Sequence, residues 1–168
     1  MSVAGKISPA LGVMFLLLAL AGTGCAATLK GQVVDAQTGK PIAGAVILGI
    51  WTKYVGPPGL ESGRLVGVKE TEADAEGRFV LETLAGEESV TVYKFGYVAW
   101  NNLFTFPTSA RRADTSVPAR ILLERFPPGQ SHQRHMDFVD DARRSATGYG
   151  RSSIPKFWDS TRREREMR

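Results

Sequence analysis

Residues 28–54 read TLKGQVVDAQTGKPIAGAVILGIWTKY, and this stretch decides the fold. Leu29, Gly31 and Val33 alternate with Lys30, Gln32 and Val34, the period of two that turns one side of a strand toward a core. Residues 35–39 then collect the small, polar and flexible side chains that turns use, and Gly39 can adopt a positive φ. Pro41 stops the first strand from running on. Residues 45–54 are rich in β-branched and aromatic side chains and predict a second strand.

Downstream, Gly56, Pro57, Pro58 and Gly59 interrupt the pattern, so residues 55–64 are expected to form a long exposed loop ahead of a strand over 65–72. Asp74 and Gly77 occupy the first and fourth positions of a predicted β-turn. Residues 78–81 lead back as a strand, residues 89–95 and 97–100 alternate around Gly96, and residues 119–124 supply a last apolar strand. About seven short strands at close turn spacing predict an antiparallel sandwich. The segments GQVVDAQTGKPIAGAVI (31–47), ADAEGRFVL (73–81) and VTVYKFGYVAW (90–100) resemble, in this order, the carboxypeptidase regulatory-like domain. That domain is a transthyretin-like sandwich found as an accessory module in many bacterial surface proteins. The resemblance spans residues 28–124 and implies an all-β, seven-stranded antiparallel transthyretin-like or Ig-like sandwich. It does not fix a task, because the architecture serves unrelated ones.

Upstream lies a leader. Lys6 precedes the apolar run 11–20 and then small residues, the order of a secretory signal peptide. Such a run is too short for a hydrocarbon core that needs about 20 apolar residues. Cys25 is the single cysteine of the chain and follows the run in LALAGTGCAA, which resembles the lipobox of a bacterial lipoprotein, although Gly22 stands where Leu is usual. The alternative is an ordinary signal cut near Ala26 or Ala27. A chain of 168 residues with 43% apolar and 23% charged residues has room for one domain with appendages. The expected organisation is a leader over 1–25, a sandwich over 26–124 and a basic, partly helical or disordered tail over 125–168.

The +4 net charge of the chain belongs to that tail, which carries ten basic and six acidic residues, whereas residues 26–124 carry ten and eleven. A mixed-sign run of this kind reads as a solvated helix face, and nucleic acid is not an expected partner. Pro127 and Pro128 break the last strand. His135, Phe138, Val139, Ala142 and Ala146 recur at helical spacing, and Pro155 suits the first turn of a second helix headed by Phe157 and Trp158. In that helix Arg162 with Glu166 and Glu164 with Arg168 are expected to form surface pairs. The helix is marginal alone and orders on a partner or against the sandwich. The first of these alternatives makes the tail the binding element and leaves residues 28–125 to fold alone.

Several clusters carry candidate chemistry. Glu72, Asp74, Glu76 and Gly77 resemble the start of a calcium loop, but Thr83 stands where the closing Glu belongs, so a plain hairpin is expected. His132 and His135 could share a metal with Asp137 or Asp140, yet they lack a third histidine or a cysteine, and no metal or other cofactor is expected. The hydroxyisourate hydrolases on transthyretin-like sandwiches end in Tyr-Arg-Gly-Ser, whereas here Tyr149, Gly150, Arg151 and Ser152 appear in another order. No histidine falls between residues 26 and 131. An enzyme is therefore not expected. Tyr54, Tyr97, Trp100, Phe157 and Trp158 are the candidate binding aromatics, able to stack on sugar rings or anchor a protein. The function these features suggest is non-catalytic: an exported binding or scaffolding module of the periplasm or outer membrane, held to the membrane by lipid on Cys25, with an envelope protein, peptidoglycan or glycan as partner. The rival is a metal-handling or hydrolase-like enzyme whose tail histidines complete a site on the sandwich, and a spacer without a ligand is the third possibility.

Overall fold

The computed structural model describes residues 27–144 and 153–167; the leader, Cys25, Ala146 and the segment Tyr149 to Ser152 lie outside them. Seven strands follow in order: β1 (Thr28–Asp35), β2 (Val46–Val55), β3 (Ser62–Glu72), β4 (Arg78–Glu82), β5 (Glu87–Tyr93), β6 (Trp100–Asn101) and β7 (Arg120–Leu123). Two helices close the described chain, α1 (His132–Ala142) and α2 (Pro155–Arg165). The strands form a three-stranded sheet, ordered β4-β1-β7, and a four-stranded sheet, ordered β3-β2-β5-β6.

The predicted Asp74–Gly77 turn is present. Gly77 N–H donates to the Asp74 carbonyl at 2.9 Å with Gly77 at φ +72°, and the Asp74 carboxylate accepts from the Glu76 and Arg78 amides. Three expectations need correction. β7 runs parallel to β1, with Gln32 opposite Arg120 and Asp35 opposite Leu123, so the sandwich is not wholly antiparallel: the chain leaves β6 in one sheet and crosses through residues 102–119 into the other. The loop over 55–64 is shorter than expected, because Lys53, Tyr54 and Val55 still pair with Arg64, Gly63 and Ser62 around the Gly-Pro tip. The alternation expected over 89–95 and 97–100 stops at Tyr93, and Tyr93 and Tyr97 fall on different sides. β5 ends at Tyr93, Gly96 turns the chain at φ +88°, and Tyr97 joins the core between the sheets while Tyr93 faces away from it.

The core lies in two slabs. Val33, Ile47, Trp51, Phe79, Leu81, Val90, Val92, Ile121 and Leu123 fill the space between the sheets. On the outer face of the four-stranded sheet, Val46, Leu48, Ile50, Tyr93 and Ala99 pack against Met136 and Val139 of α1 and against Ile154 and Phe157 at the start of α2. β2 is thus buried on both faces over Val46, Ile47, Leu48, Ile50 and Trp51, which is why residues 45–51 read as an unbroken apolar run rather than an alternation. Each fully buried side chain of this size contributes about 1.5–3 kcal/mol, so the tail helices are a third layer of the fold.

Local chemistry places those helices. The Ser131 hydroxyl caps α1 by accepting from the Arg134 amide. Ile154 gives α2 no side-chain cap. Instead the Glu70 carboxylate of β3 accepts from the Lys156 and Phe157 amides at 2.9 and 3.0 Å, placing a negative charge at the positive end of the helix. Arg165 holds the two helices together with a two-pronged pair on Asp140 at 3.0 and 2.6 Å.

Candidate functional site

Two features stand out: a buried polar cluster under the helices and an open aromatic groove beside it. Glu164 is the centre of the first. Its position in α2 turns it inward, 2% exposed, onto the sheet. One carboxylate oxygen accepts from the Tyr93 hydroxyl at 2.7 Å. The other meets His132 Nδ1 at 2.7 Å and His135 Nδ1 at 2.8 Å. His135 Nε2 accepts from the Ala99 amide at 2.8 Å, so the proton of this imidazole sits on Nδ1, where it donates to Glu164. Three elements, β5, α1 and α2, therefore meet on one carboxylate.

The electrostatics follow from this geometry. Burial pushes the Glu164 carboxyl up, but the hydrogen bonds from His135, His132 and Tyr93 outweigh it and hold the group below its ordinary value. Tyr93 moves far above the usual phenol value, through burial first and then through its bond to the Glu164 carboxylate. The surroundings are aromatic: Tyr93 lies against Phe157 at 6.3 Å, Phe106 against His135 at 5.2 Å, and Phe126 stacks on His132 at 4.7 Å.

The groove lies between residues 104–108 and α1. It has a volume of about 570 Å³ and is lined by Phe104, Phe106, Pro107, Phe138 and Ala142, with Gln130, Arg134, Asp137 and Asp141 among its polar groups. Asn101 and Arg111 set its wall. The Asn101 side-chain oxygen accepts from the Leu103 and Phe104 amides at 2.8 and 3.0 Å. Arg111, stacked over Trp100 at 4.7 Å, donates to the carbonyls of Phe104 and Asn101. Phe106 turns inward onto Phe138 and His135, while Phe104 remains half exposed to solvent. None of Tyr93, His132, His135 or Glu164 lines this groove.

The residues singled out in the sequence are distributed as follows. His132 and His135 do come together, but through Glu164 rather than through Asp137 or Asp140. Asp137 accepts from Gln133, and Asp140 pairs with Arg165. No group of three or more His, Cys, Asp or Glu side chains suited to a metal occurs among the described residues. Of the candidate binding aromatics, Tyr54 is exposed, while Trp100 and Phe157 are buried in the core and are not presented to a partner. Tyr97 is half-buried, its hydroxyl on Asp35 at 3.1 Å. The Trp158 ring is met by the guanidinium groups of Arg143 and Arg165, 4.4 and 4.6 Å from its centroid. Glu164, expected to form a surface pair, faces the core instead, and Arg168, its expected partner, lies outside the described residues. Sequence reasoning missed Glu164, Phe104 and Phe138 as site residues. The last had a signal in the α1 stripe, whereas Glu164 had none, being one charge in a charged helix.

No family model and no curated protein matches the chain. Among solved structures the chain is similar to part of a 9R-lipoxygenase from Cyanothece PCC8801, with 14% identity and a TM-score of 0.29 over 73% of this chain; it spans 22% of that one. A likeness of this strength carries no argument about fold or activity.

Proposed function

We propose that this chain is a non-catalytic binding module of the cell envelope, a transthyretin-like sandwich of the carboxypeptidase regulatory-like kind that is exported and held to the membrane by lipid on Cys25. Its partner is a glycan, peptidoglycan included, bound in the groove between residues 104–108 and α1. The observation that supports this reading is the composition of the groove: the half-exposed ring of Phe104 and the side chains of Pro107 and Phe138 sit beside Gln130, Arg134, Asp137 and Asp141. A sugar ring has an apolar face and a hydroxyl edge, and this surface offers an aromatic platform beside a mixed donor and acceptor rim. The volume is within the range of small-ligand sites. Calorimetric titration of the detergent-purified protein with soluble peptidoglycan fragments and neutral oligosaccharides tests it. Binding that weakens at least about tenfold in Phe104→Ala or Asp137→Asn, a loss of about 1.4 kcal/mol, agrees with the proposal. Binding to neither class of sugar, or binding indifferent to both changes, contradicts it.

A second reading has one observation in its favour. His132 is 27% exposed, with its Nδ1 oriented by the buried Glu164 carboxylate, the relation in which a carboxylate aligns a histidine for acid-base work or metal ligation. Metal analysis of the purified protein separates the two readings: stoichiometric metal that is lost in His132→Ala supports the second.

A further inference from the structure

The β2–β3 hairpin outruns the body of the fold. Beyond Thr52 the strands pair for three more rungs, Lys53 with Arg64, Tyr54 with Gly63 and Val55 with Ser62, and every residue over 53–64 is exposed. The helices that cover the outer face of β2 reach Val46, Leu48 and Ile50 and stop short of this arm. A two-stranded arm covered on neither face has little to hold it in water, yet its end is apolar: Leu60 is 79% exposed, Tyr54 53% and Val55 45%, around Pro57 and Pro58.

Two further features give the arm a direction and a partner. Lys53 and Arg64 stand directly opposite one another, an arrangement that destabilises an isolated strand pair, and among the described residues neither makes an ion pair. They form a basic collar one rung behind Tyr54. The arm also leaves the sandwich at the end where the chain enters it. The Ala27 carbonyl accepts from the Thr83 amide at 2.9 Å, Leu84 packs over Gly67, and Gly86 lies against the Thr52 carbonyl. Cys25 is two residues before Ala27, a span of at most about 7 Å. Val55 lies four residues past Trp51, about 13 Å along the strand.

We propose that this hairpin tip is a membrane-contact element: Val55, Pro57, Pro58 and Leu60 enter the lipid interface, with Tyr54 at headgroup depth and Lys53 and Arg64 on anionic headgroups. Apolar tip, aromatic ring and basic collar succeed one another in the order in which an interface changes from hydrocarbon to headgroup to water. Glu61 at the tip and Glu87 beside Thr52 offset part of the basic charge, so the apolar side chains carry the contact and anionic lipid strengthens it. The position of the tip relative to the membrane rests on the lipid-anchor reading of Cys25; its affinity for lipid does not.

Tryptophan reporters test this on the full chain. Leu60→Trp places a ring at the tip and Leu122→Trp places one on β7, another exposed position. Each chain is reconstituted with vesicles of phosphatidylcholine and phosphatidylglycerol carrying brominated acyl chains, and emission is compared with that of the unsubstituted protein, whose three tryptophans set the background. The expected result is quenching of the Leu60→Trp signal and not of the Leu122→Trp signal, with the quenching lost when Val55→Asp is added and the melting transition is retained. A chain that co-sediments with vesicles while its tip ring stays bright overturns the hairpin contact and leaves the anchor standing. A quenched tip on a chain whose Cys25 carries no lipid by mass spectrometry supports the hairpin and removes the anchor. Failure to co-sediment at all overturns the hairpin contact. A bright tip accompanied by dimers that Leu60→Asp abolishes gives the surface to a second copy instead.

Discussion

Glu164 sits in α2, within a sequence stretch, residues 159–168, in which seven of ten side chains are charged, and nothing in that pattern separates it from its solvated neighbours. Its environment does: a Tyr93 hydroxyl, two imidazoles and almost no water. Hydrogen bonds to a buried charge are worth about 1.5–3 kcal/mol each and leave unmatched donors when broken. Glu164→Gln keeps one acceptor and turns an amide toward the remaining donors, so it is expected to lower stability by about 2–3 kcal/mol, read from denaturant unfolding. The pH dependence has a definite sign. The unfolded carboxyl titrates at about 4.5, and the folded one is held lower, burial being outweighed by the three hydrogen bonds. The stabilisation is therefore complete above the unfolded value and disappears as pH falls through the folded one. Asp35, lowered chiefly by the Thr38 amide, acts in the same sense. The acid limb of the melting curve should thus be shallower in Glu164→Gln but still present. Gly77 is the opposite case, a residue whose role was legible. It is at φ +72°, and a Cβ there would run into the Val33 carbonyl. Gly77→Val is expected to cost about 3 kcal/mol or more, and a melting temperature equal to that of the unsubstituted chain would refute the turn's importance.

At the scale of elements, the strands were largely legible because alternation and turn chemistry are local. β1, β4 and the turn between β3 and β4 lie where the pattern predicts. The departures have non-local causes. The parallel β1–β7 pairing depends on where residues 102–119 carry the chain, and the length of the β2–β3 arm depends on rungs that form in spite of a Gly-Pro tip. The third layer had a signal that went unread: the run AVILGIW over 45–51 has no polar face, so β2 needed a cover on both sides. The cap of α2 had none, since Glu70 is far from it in sequence. Removal of both helices bears on the expectation that residues 28–125 fold alone. A chain ending at Arg125 would expose Val46, Leu48, Ile50, Tyr93 and Ala99 as one apolar face. It is expected to aggregate or to lose cooperative melting. A soluble fragment with the same sharp transition as the full chain would show that the helices are not part of the folding unit.

At the scale of the whole molecule, the aromatic groove, the β2–β3 arm and the end at which Ala27 enters lie outside the core of a sandwich clasped by two helices. The proposed binding module uses the first for its partner and the other two for the membrane. The order of sheet, sheet and helices places the groove beside the clasp, so loss of the Glu164 contacts should loosen the groove wall that α1 supplies. Sequence could outline the strands of the two sheets, because they are written in local pattern and composition, but not the groove, which is assembled from a loop after β6 and one face of α1. The account depends most on the fate of Cys25. Fractionation of producing cells, followed by mass spectrometry of the N-terminal peptide, tests it directly. The account predicts a membrane-bound protein whose first residue is an acylated Cys25, held less firmly by the membrane when the chain is made to begin at Ala26 after a cleavable leader. A soluble wild-type protein beginning at Ala26 or Ala27 would contradict it.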